Sequence, residues 1–341
     1  MSEVLKHNAV LHRVTRQMRE QREQQLSPLA TRVVDSRGRA LPEPPDPLRT
    51  AFEVDRDRVI HSKAFRRLKH KTQVFINPEG DHIVTRMSHT QQVTQIGRSI
   101  ARALDLNEDL TEAICIGHDC GHTPFGHIGE AALSEYIEDG EWLHSAQGVR
   151  IFDLLEPKNL TWEVLDGIRA HTWRVNPPPA TAEGWVCRFA DRIAYLNHDL
   201  LDAIRAGVLV HTDLPGAVVR VLGSFSGGRW IGVMIDAVID ESLVRGKLVM
   251  RADVLSAMRK LREFMFERVY LRPDAAAQAE RARRVIHDLV GYLMQHPDQI
   301  PVSYQRDGDK LRLRVLDYVA GMTDRYALNL HDHWFRPRGL A

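Results

Sequence analysis

The spacing of hydrophobic positions predicts helices along almost the whole chain. Val93, Ile96, Ile100 and Leu104 recur at helical intervals after Ser88, a residue type that caps helix starts. Alternation typical of strands is scarce, and only residues 229–239 are ambiguous between a buried strand and a helix. Comparable patterns predict further helices at 1–26, 55–75, 107–119, 127–138, 144–155, 161–171, 185–206, 252–270, 274–295 and 310–330. We therefore predict an all-α fold, one large helical body with minor additions.

Breaks in the helical pattern predict three regions. Four prolines and two turn-forming aspartates make residues 35–50 an irregular connection. Residues 1–50 are accordingly predicted as an N-terminal helix and a proline-rich connection. Residues 51–215 are predicted as the core that carries the chemistry, and residues 216–341 as a mainly helical C-terminal region packed on it.

Composition and charge narrow the class of protein. Hydrophobic residues make up 43% of the chain and charged residues 27%, as in ordinary globular proteins. A net charge of +1 gives no general attraction to polyanions, so any such binding needs a local cluster of cations. The three cysteines (Cys115, Cys120 and Cys187) form no disulfide framework, and no apolar run resembles a signal peptide or membrane span. These features predict a soluble cytoplasmic protein without membrane contact.

Candidate chemistry centres on the segment "CIGHDCGHTPFGH" at 115–127. His118 and Asp119 end one predicted helix, His89 lies in the first turn of the preceding one, and Asp191 lies on the helix predicted at 185–206. A single histidine on a helix is more often structural than a ligand. Two imidazoles with two carboxylates, however, suit one divalent ion such as Mn, Mg, Fe, Ni or Zn and leave positions open for water and substrate.

The helix predicted at 185–206 carries a polar stripe. Four residues at helical spacing share one face: Asp191, Tyr195, Asp199 and Asp202. A solvated acidic stripe is the ordinary explanation of such a pattern. Phe189 and Leu196 on the other sides favour a buried helix instead, and inward carboxylates then require a cation or a hydrogen-bonding ligand. Asp202 could be structural only.

Other polar features carry weaker signals. The basic run at 65–71 could bind single-stranded nucleic acid, but it lacks interleaved aromatics and is more typical of a solvated face with one or two inward residues. Residues 223–228, "GSFSGG", lack the Lys and Ser/Thr of a phosphate-binding P-loop. His171 could lie near the pocket, although helix capping is a simpler role, and His198 is predicted on a helix surface.

Several long motifs resemble one known family. "RMSHT" (86–90), "GHDCGHTPFGHIGE" (117–130) and "FADRIAYLNHDLLDA" (189–203) resemble successive signature blocks of the deoxyguanosinetriphosphate triphosphohydrolase family of the HD phosphohydrolase superfamily. Residues 55–75 and 316–327 are similar to its N-terminal and C-terminal blocks. The likeness covers roughly residues 45–330.

The resemblance implies an HD-domain helical bundle with one divalent metal ion. It implies hydrolysis of dGTP or of several dNTPs to deoxynucleoside and intact triphosphate. By motif position, the metal ligands would be His89, His118, Asp119 and Asp191. The catalytic residues would be His127 and Glu130, with His144 resembling a histidine of the family's next helix. The substrate-binding residues would be Gln73 and Arg86, together with His122, Arg192, Tyr195 and Asp199. The resemblance also implies a homo-oligomer and dNTP effectors.

The residue types agree with those roles. A triphosphate needs local cations, which Arg86, His122, His127 and Arg192 can supply. An imidazole can donate the proton that the leaving 5′-oxygen needs, and Glu130 lies three residues after His127, one helical turn away. Two alternatives remain open: another HD-type enzyme, either a 5′-nucleotidase or a cyclic-nucleotide phosphodiesterase, or a protein that senses nucleotides or binds single-stranded nucleic acid.

Overall fold

A computed structural model of the protein describes residues 13–72 and 84–337. Gln73 lies outside the described residues. Fifteen α-helices and no strands occur in the described ranges, which confirms the all-α prediction. In chain order they are α1 (Arg16–Arg22), α2 (Ala51–Ile60), α3 (Lys63–Arg67), α4 (Arg86–Ala103), α5 (Glu108–Gly117), α6 (His127–Ser134), α7 (His144–Arg150), α8 (Trp162–Ala170), α9 (Ala182–Arg205), α10 (Gly216–Leu222), α11 (Gly227–Arg245), α12 (Ala252–Met265), α13 (Pro273–Gln295), α14 (Leu311–Ala320) and α15 (Asp324–Phe335).

Side-chain caps set the starts of the central helices. Asn107 caps α5 by accepting a hydrogen bond from the Leu110 backbone N–H at 3.1 Å. The prediction that Ser88 caps α4 is wrong, because Thr85 occupies the cap and Ser88 is the third residue of the helix. The Ser88 hydroxyl accepts a 2.9 Å hydrogen bond from the Thr85 backbone and completes a capping box.

Other segments differ from the sequence pattern or resolve its ambiguity. The single helix predicted at 55–75 is wrong, because Ser62 accepts a hydrogen bond from the Phe65 backbone N–H and starts a new helix, α3. The described part of the predicted 1–26 helix is α-helical only over Arg16–Arg22 and continues as a 3-10 helix over Glu23–Gln25, and residues 1–12 lie outside the described residues. The ambiguous 229–239 segment is helical within α11. The single helix predicted at 310–330 is wrong, because Thr323 accepts a hydrogen bond from the Tyr326 backbone N–H and starts a new helix, α15.

The larger core surrounds α9, which packs against α4, α5, α8, α11 and α12. Val93, Ile96 and Ile100 of α4 are buried there, as their spacing predicts. The helices approach closely at Gly97, where an added Cβ would lie 2.9 Å from Sγ of Cys115 on α5. This close packing brings the polar residues of α4, α5 and α9 to one place.

A second core forms around α13, which packs against α6, α14 and α15. Leu133 of α6 is buried there together with Leu289 of α13 and Val319 of α14. Helix α6 therefore belongs to this second core. The division of the chain at residues 50 and 215 stays a prediction. None of the described helices is long and apolar enough to cross a membrane.

Candidate metal centre and active site

Four donor atoms converge where α4, α5 and α9 meet. Nε2 of His89 lies 3.4 Å from Nε2 of His118 and 3.3 Å from Oδ1 of Asp191. Nε2 of His118 lies 3.4 Å from Oδ1 of Asp119 and 3.9 Å from Oδ1 of Asp191. The fold thus brings together the four residues that the sequence nominates as metal ligands.

The donor set and its spacing fit a divalent ion. With ligand bonds of about 2.1 Å, adjacent donors stand about 3.0 Å apart at right angles and about 3.4 Å apart at the tetrahedral angle. The distances between 3.3 and 3.9 Å are close to these values. His89, His118 and Asp119 are buried, whereas 21% of the Asp191 side chain is exposed. The cluster is therefore reachable from the Asp191 side, as a catalytic metal site requires.

Hydrogen bonds on the far side of each ring leave both Nε2 atoms available. Nδ1 of His118 donates to the Cys115 carbonyl at 2.7 Å, since a carbonyl can only accept. Nδ1 of His89 lies 2.8 Å from Nε2 of His198. Metal-binding histidines typically donate their second ring N–H in this way. The prediction that His198 lies on the helix surface is wrong: it is buried, because α4 covers that face of α9.

Asp119 contacts an arginine and a further histidine of the site. Its Oδ2 accepts from Nη1 of Arg86 at 2.9 Å, and its Oδ1 lies 3.2 Å from Nε2 of His122. Burial raises the pKa of Asp119, but the charges of His118, Arg86 and His122 outweigh burial and hold this pKa well below its usual range. Asp119 is therefore a carboxylate, the form that binds metal ions.

Glu130 organises the second part of the site. Its Oε2 lies 2.7 Å from Nδ1 of His127, and its Oε1 lies 2.7 Å from Nδ1 of His144. Burial raises the pKa of Glu130, but the charge of His144 and the hydrogen bonds to both histidines bring it well below the usual range. His127 keeps 75% of its side chain exposed. Glu130 thus fixes one exposed and one buried imidazole at once.

His171 joins the site from α8, and the sequence left its place undecided. It ends α8, donates from Nδ1 to the Ile168 carbonyl at 2.7 Å, and places Nε2 3.0 Å from Nε2 of His144. Burial lowers the pKa of His171 to about 3. Gly167 permits this position, since an added Cβ would lie 2.5 Å from the Ile114 side chain on α5. A glycine four residues before a helix-ending histidine was the available signal.

The polar face of α9 continues away from the four-ligand cluster. Asp199 is buried, and its Oδ2 accepts a 2.5 Å hydrogen bond from the Tyr270 hydroxyl, a partner that sequence reasoning missed. Asp202 accepts a 3.1 Å hydrogen bond from the Val84 backbone N–H, a structural contact. Burial raises the pKa of Tyr195, which remains a neutral phenol. The stripe is an inward face rather than a solvated one.

The turn between α5 and α6 is held by a residue from α15. Phe125 adopts a positive φ of 61°, which costs energy for a residue with a side chain. The carboxylate of Asp324 accepts from the Phe125 backbone N–H at 3.0 Å and from the Thr72 backbone N–H at 3.0 Å. Asp324, also missed from the sequence, thus fixes how His127 enters its helix.

Three buried nitrogen atoms near the cluster have no hydrogen-bond partner within the described part of the chain: Nε of Arg86, Nδ1 of His122 and Nε of Arg192. The Arg192 guanidinium instead lies over the Trp173 ring, 4.3 Å from its centroid. Burial lowers the pKa of Arg192, and Arg262 and Arg259 lower it further. The two guanidinium Nε–H groups are unsatisfied buried donors, and beside a concentration of positive charge they are suited to an anionic ligand.

Two parts of this chain match known protein families. Residues 86–196 match the family described as the HD domain, and residues 248–333 match the phosphohydrolase-associated domain. The first range contains His89, His118, Asp119 and Asp191.

Several relatives carry the name deoxyguanosinetriphosphate triphosphohydrolase-like protein. One from Caldanaerobacter subterraneus is 48% identical over 92% of this chain and 93% of its own length. Another from Desulfatibacillum aliphaticivorans is 42% identical over 93% of this chain and 96% of its own. A third, from Clostridium tetani, is 40% identical over 91% of this chain and 93% of its own.

Proposed function

Because this chain belongs to the deoxyguanosinetriphosphate triphosphohydrolase-like family of HD-domain phosphohydrolases, we propose that it hydrolyses deoxynucleoside triphosphates to deoxynucleoside and inorganic triphosphate. The observation that carries the proposal is the convergence of His89, His118, Asp119 and Asp191 from three helices. A divalent ion held there, such as Mn, Mg, Fe, Ni or Zn, would polarise a phosphoryl oxygen and lower the pKa of a bound water.

Polar groups next to this cluster, two of them guanidinium cations, receive the triphosphate. Arg86 and His122 already contact Asp119, and each keeps one buried nitrogen free of protein partners. Arg192 adds a guanidinium whose Nε is likewise free within the described ranges. Charge-assisted hydrogen bonds to phosphate oxygens would satisfy the two guanidinium nitrogens. A local cationic pocket in a protein of net charge +1 is what a polyanionic substrate requires.

His127 is the proton donor in this proposal. Its exposed position lets it approach a substrate, and its Nδ1 is held by the Glu130 carboxylate. Nε2 therefore faces outward to protonate the leaving 5′-oxygen of the deoxynucleoside. His144, bound to the other oxygen of Glu130, keeps that carboxylate oriented. The three residues act as one catalytic unit.

Tyr195 and Asp199 contact the sugar side of the nucleotide in this proposal. Asp199 is fixed by the Tyr270 hydroxyl, so its second oxygen has a defined direction. Gln73 would read the sugar 3′-hydroxyl, but it lies outside the described residues and this role rests on the motif alone. Nucleotide effectors, a homo-oligomer and a cytoplasmic location also stay predictions.

Phosphorus NMR of the reaction products tests the proposal directly. The purified chain would be incubated with each of the four dNTPs, alone and in pairs, with Mg²⁺ or Mn²⁺. We expect inorganic triphosphate as the first phosphorus-containing product. His287→Ala is a matched histidine control, because His287 lies on α13 and bonds to Tyr136 instead of the cluster. It should leave the product and its rate unchanged.

Two outcomes would reject the proposal in different ways. Orthophosphate or pyrophosphate as the first product, or turnover of monophosphates or cyclic nucleotides alone, would indicate another HD-type phosphohydrolase. No turnover, together with salt-sensitive binding of single-stranded nucleic acid, would indicate a binding protein. The fold leaves part of the basic run for the second alternative: Arg66 and Lys69 are exposed, whereas Lys71 is buried and Arg67 donates to the Tyr304 hydroxyl.

A further inference from the structure

Trp173, in the loop after α8, packs on one face of α9. Four residues of α9 follow one another at helical spacing along that face: Trp185, Arg188, Phe189 and Arg192. The Trp173 ring lies edge-on to the rings of Trp185 and Phe189, with centroids 6.1 and 5.5 Å away. The indole Nε1 also donates to the Arg188 carbonyl at 3.3 Å. Aromatic contacts and a hydrogen bond therefore hold the Trp173 side chain against α9.

A buried arginine of the same face fixes the loop that carries Trp173. Nε of Arg188 donates to the Ala170 carbonyl at 2.8 Å, and its Nη2 donates to the Thr172 and Val175 carbonyls at 2.7 and 3.0 Å. These bonds hold the backbone on both sides of Trp173. Because the acceptors are backbone carbonyls, they remain available when the side chain at position 173 is changed.

Arg192 has a different kind of contact with Trp173. Its guanidinium carbon lies 4.3 Å from the centroid of the Trp173 ring, and its buried Nε has no hydrogen-bond partner within the described part of the chain. A guanidinium that lies over a ring uses its face, whereas its five N–H donors lie in its plane and point out from the edge. The ring can therefore hold Arg192 without occupying the donors that a phosphate needs.

Like charges near Arg192 make such a contact necessary. Arg259 and Arg262 of α12 lie close enough to repel its guanidinium. Asp191 attracts it, but this carboxylate also faces the other proposed metal ligands. An indole ring presents a negative face to a cation and is the best of the aromatic side chains for this purpose. Trp173 therefore offsets part of the repulsion and restricts where the guanidinium can lie.

We propose that Trp173 is a positioning residue for triphosphate binding: its ring holds the Arg192 guanidinium so that the N–H edge of this group meets the phosphate oxygens. The inference rests on the proposed function, in which Arg192 contacts the triphosphate. Trp173 itself touches no phosphate. A guanidinium that is oriented before the anion arrives loses less conformational freedom on binding, and affinity rises accordingly.

A double-mutant cycle separates positioning from mere packing. Trp173 also packs on Trp185 and Phe189, so its removal could weaken binding by loosening the fold. A residue that acts through Arg192 has an effect only while Arg192 is present. Four full-length chains would be titrated with inorganic triphosphate in MgCl₂ by isothermal titration calorimetry: the unaltered chain, Trp173→Leu, Arg192→Gln and the double variant.

The cycle has a defined expected result. Trp173→Leu should weaken triphosphate binding about tenfold, since a desolvated cation–π contact contributes roughly that factor. Arg192→Gln should weaken it more, because it removes the charged donors themselves. When Arg192→Gln is already present, adding Trp173→Leu should change the affinity by less than about twofold. Trp173→Phe keeps a weaker ring under Arg192, so its affinity should lie between those of Trp173→Leu and the unaltered chain.

Trp162→Leu is the matched control, because it breaks another contact between a tryptophan and an arginine. The Arg37 guanidinium lies 3.7 Å from the centroid of the Trp162 ring, at the start of α8. This variant should bind triphosphate like the unaltered chain. Trp173→Leu should also bind Mn²⁺ like the unaltered chain, since it retains all four proposed metal ligands. Circular dichroism verifies that each variant is folded.

Each outcome has a distinct meaning. An equal loss from Trp173→Leu with and without Arg192→Gln, or no loss in either case, overturns the positioning role and leaves the proposed hydrolysis standing. Coupling of the two residues in a chain that does not hydrolyse dNTPs rejects the proposed function and keeps Trp173 in a polyphosphate site. No triphosphate binding to the unaltered chain rejects both. If Trp173→Leu does not fold, the same cycle with Trp173→Phe decides: coupling supports the role and additivity overturns it.

Discussion

His118 and His127 come from one thirteen-residue segment, 115–127, yet they stand in opposite environments. None of the His118 side chain is exposed, whereas 75% of the His127 side chain is. His118 lies among α4, α5 and α9, while His127 begins α6, which packs on α13 in the second core. The buried part of the segment is preorganised to hold an ion, and the exposed part is free to meet a substrate. Burial, more than residue type, separates the two proposed roles.

The largest expected effect comes from removing one proposed metal ligand from the buried cluster. Asp191→Asn removes one of the two carboxylates among the proposed ligands. Losing a residue that only supports a metal ligand lowers affinity by up to ~100-fold, so losing the ligand itself should lower Mn²⁺ affinity by more than that. Hydrolysis should fall with it. Isothermal titration with MnCl₂ and a turnover assay measure the two losses. Asp202→Asn, on the same helix face, keeps an oxygen for the Val84 N–H and should retain both properties; unaltered metal binding in Asp191→Asn would contradict the proposed site.

Altering the exposed part should separate catalysis from metal binding. His127→Gln should lower kcat by about 10²–10⁴-fold, the usual contribution of a general acid, while Mn²⁺ affinity stays unchanged. Because His127 is exposed, its loss should change the free energy of unfolding by less than about 0.5 kcal/mol. Steady-state kinetics and denaturant unfolding measure these quantities. A loss of bound metal in His127→Gln would show that the two parts of the segment are not separable.

The packing of the buried part can be tested at Gly121. An added Cβ there would lie 2.0 Å from the His144 carbonyl oxygen and 2.3 Å from the Gly148 nitrogen, so backbone must move. Gly121→Ala should lower the free energy of unfolding by about 1–3 kcal/mol, as overpacking does. Gly232→Ala is the matched control, because nothing lies within 4 Å of its added Cβ inside α11 and it should stabilise the chain slightly. Equal effects of the two substitutions would refute the close contact.

The most gradual expected effect is a pH dependence of stability that originates under the same segment. Nζ of Lys71 donates to the carbonyls of His122 and Ala320, and burial lowers the pKa of Lys71 to about 7. An unfolded lysine has a pKa of about 10.4, so between these values the unfolded state binds more protons. Stability should therefore fall as the pH decreases from about 10 towards 7, by at most about 1.4 kcal/mol per pH unit from this group, and level off below 7.

Lys71→Met removes the titrating group and keeps much of its apolar volume. Urea unfolding of both proteins at pH 7, 8 and 9 should show a shallower pH slope for the variant. Identical slopes would mean that the ammonium is already charged at pH 9 and stabilised by its two carbonyl partners.

The hydrophobic pattern was sufficient for most helices because it reports local burial. Val93, Ile96 and Ile100 lie at helical spacing and are buried in α4, and Asn107 caps α5. The break at Thr323 was missed, since the apolar spacing continues across it and only a side-chain cap separates the two helices. A single capping residue gives only a weak signal in one sequence.

His198 and His171 show where reading one helix at a time fails. On α9 alone, His198 has an exposed position, but α4 covers it and makes it a partner of His89. His171 ends α8 as a capping residue would, and the approach of α8 to α5 also brings it to His144. Tyr270 and Asp324 reach the site from other parts of the chain, with no motif to announce them.

The order of amino acids was enough to predict the helical class, the family and four candidate ligands: His89, His118, Asp119 and Asp191. Those properties follow from residue types and from their spacing along the chain, which periodicity and motifs express directly. Tertiary structure alone decided which nitrogens face one another, which carboxylate is buried and which histidine remains exposed. These depend on contacts between helices far apart in the chain, and no local pattern encodes the distance between them.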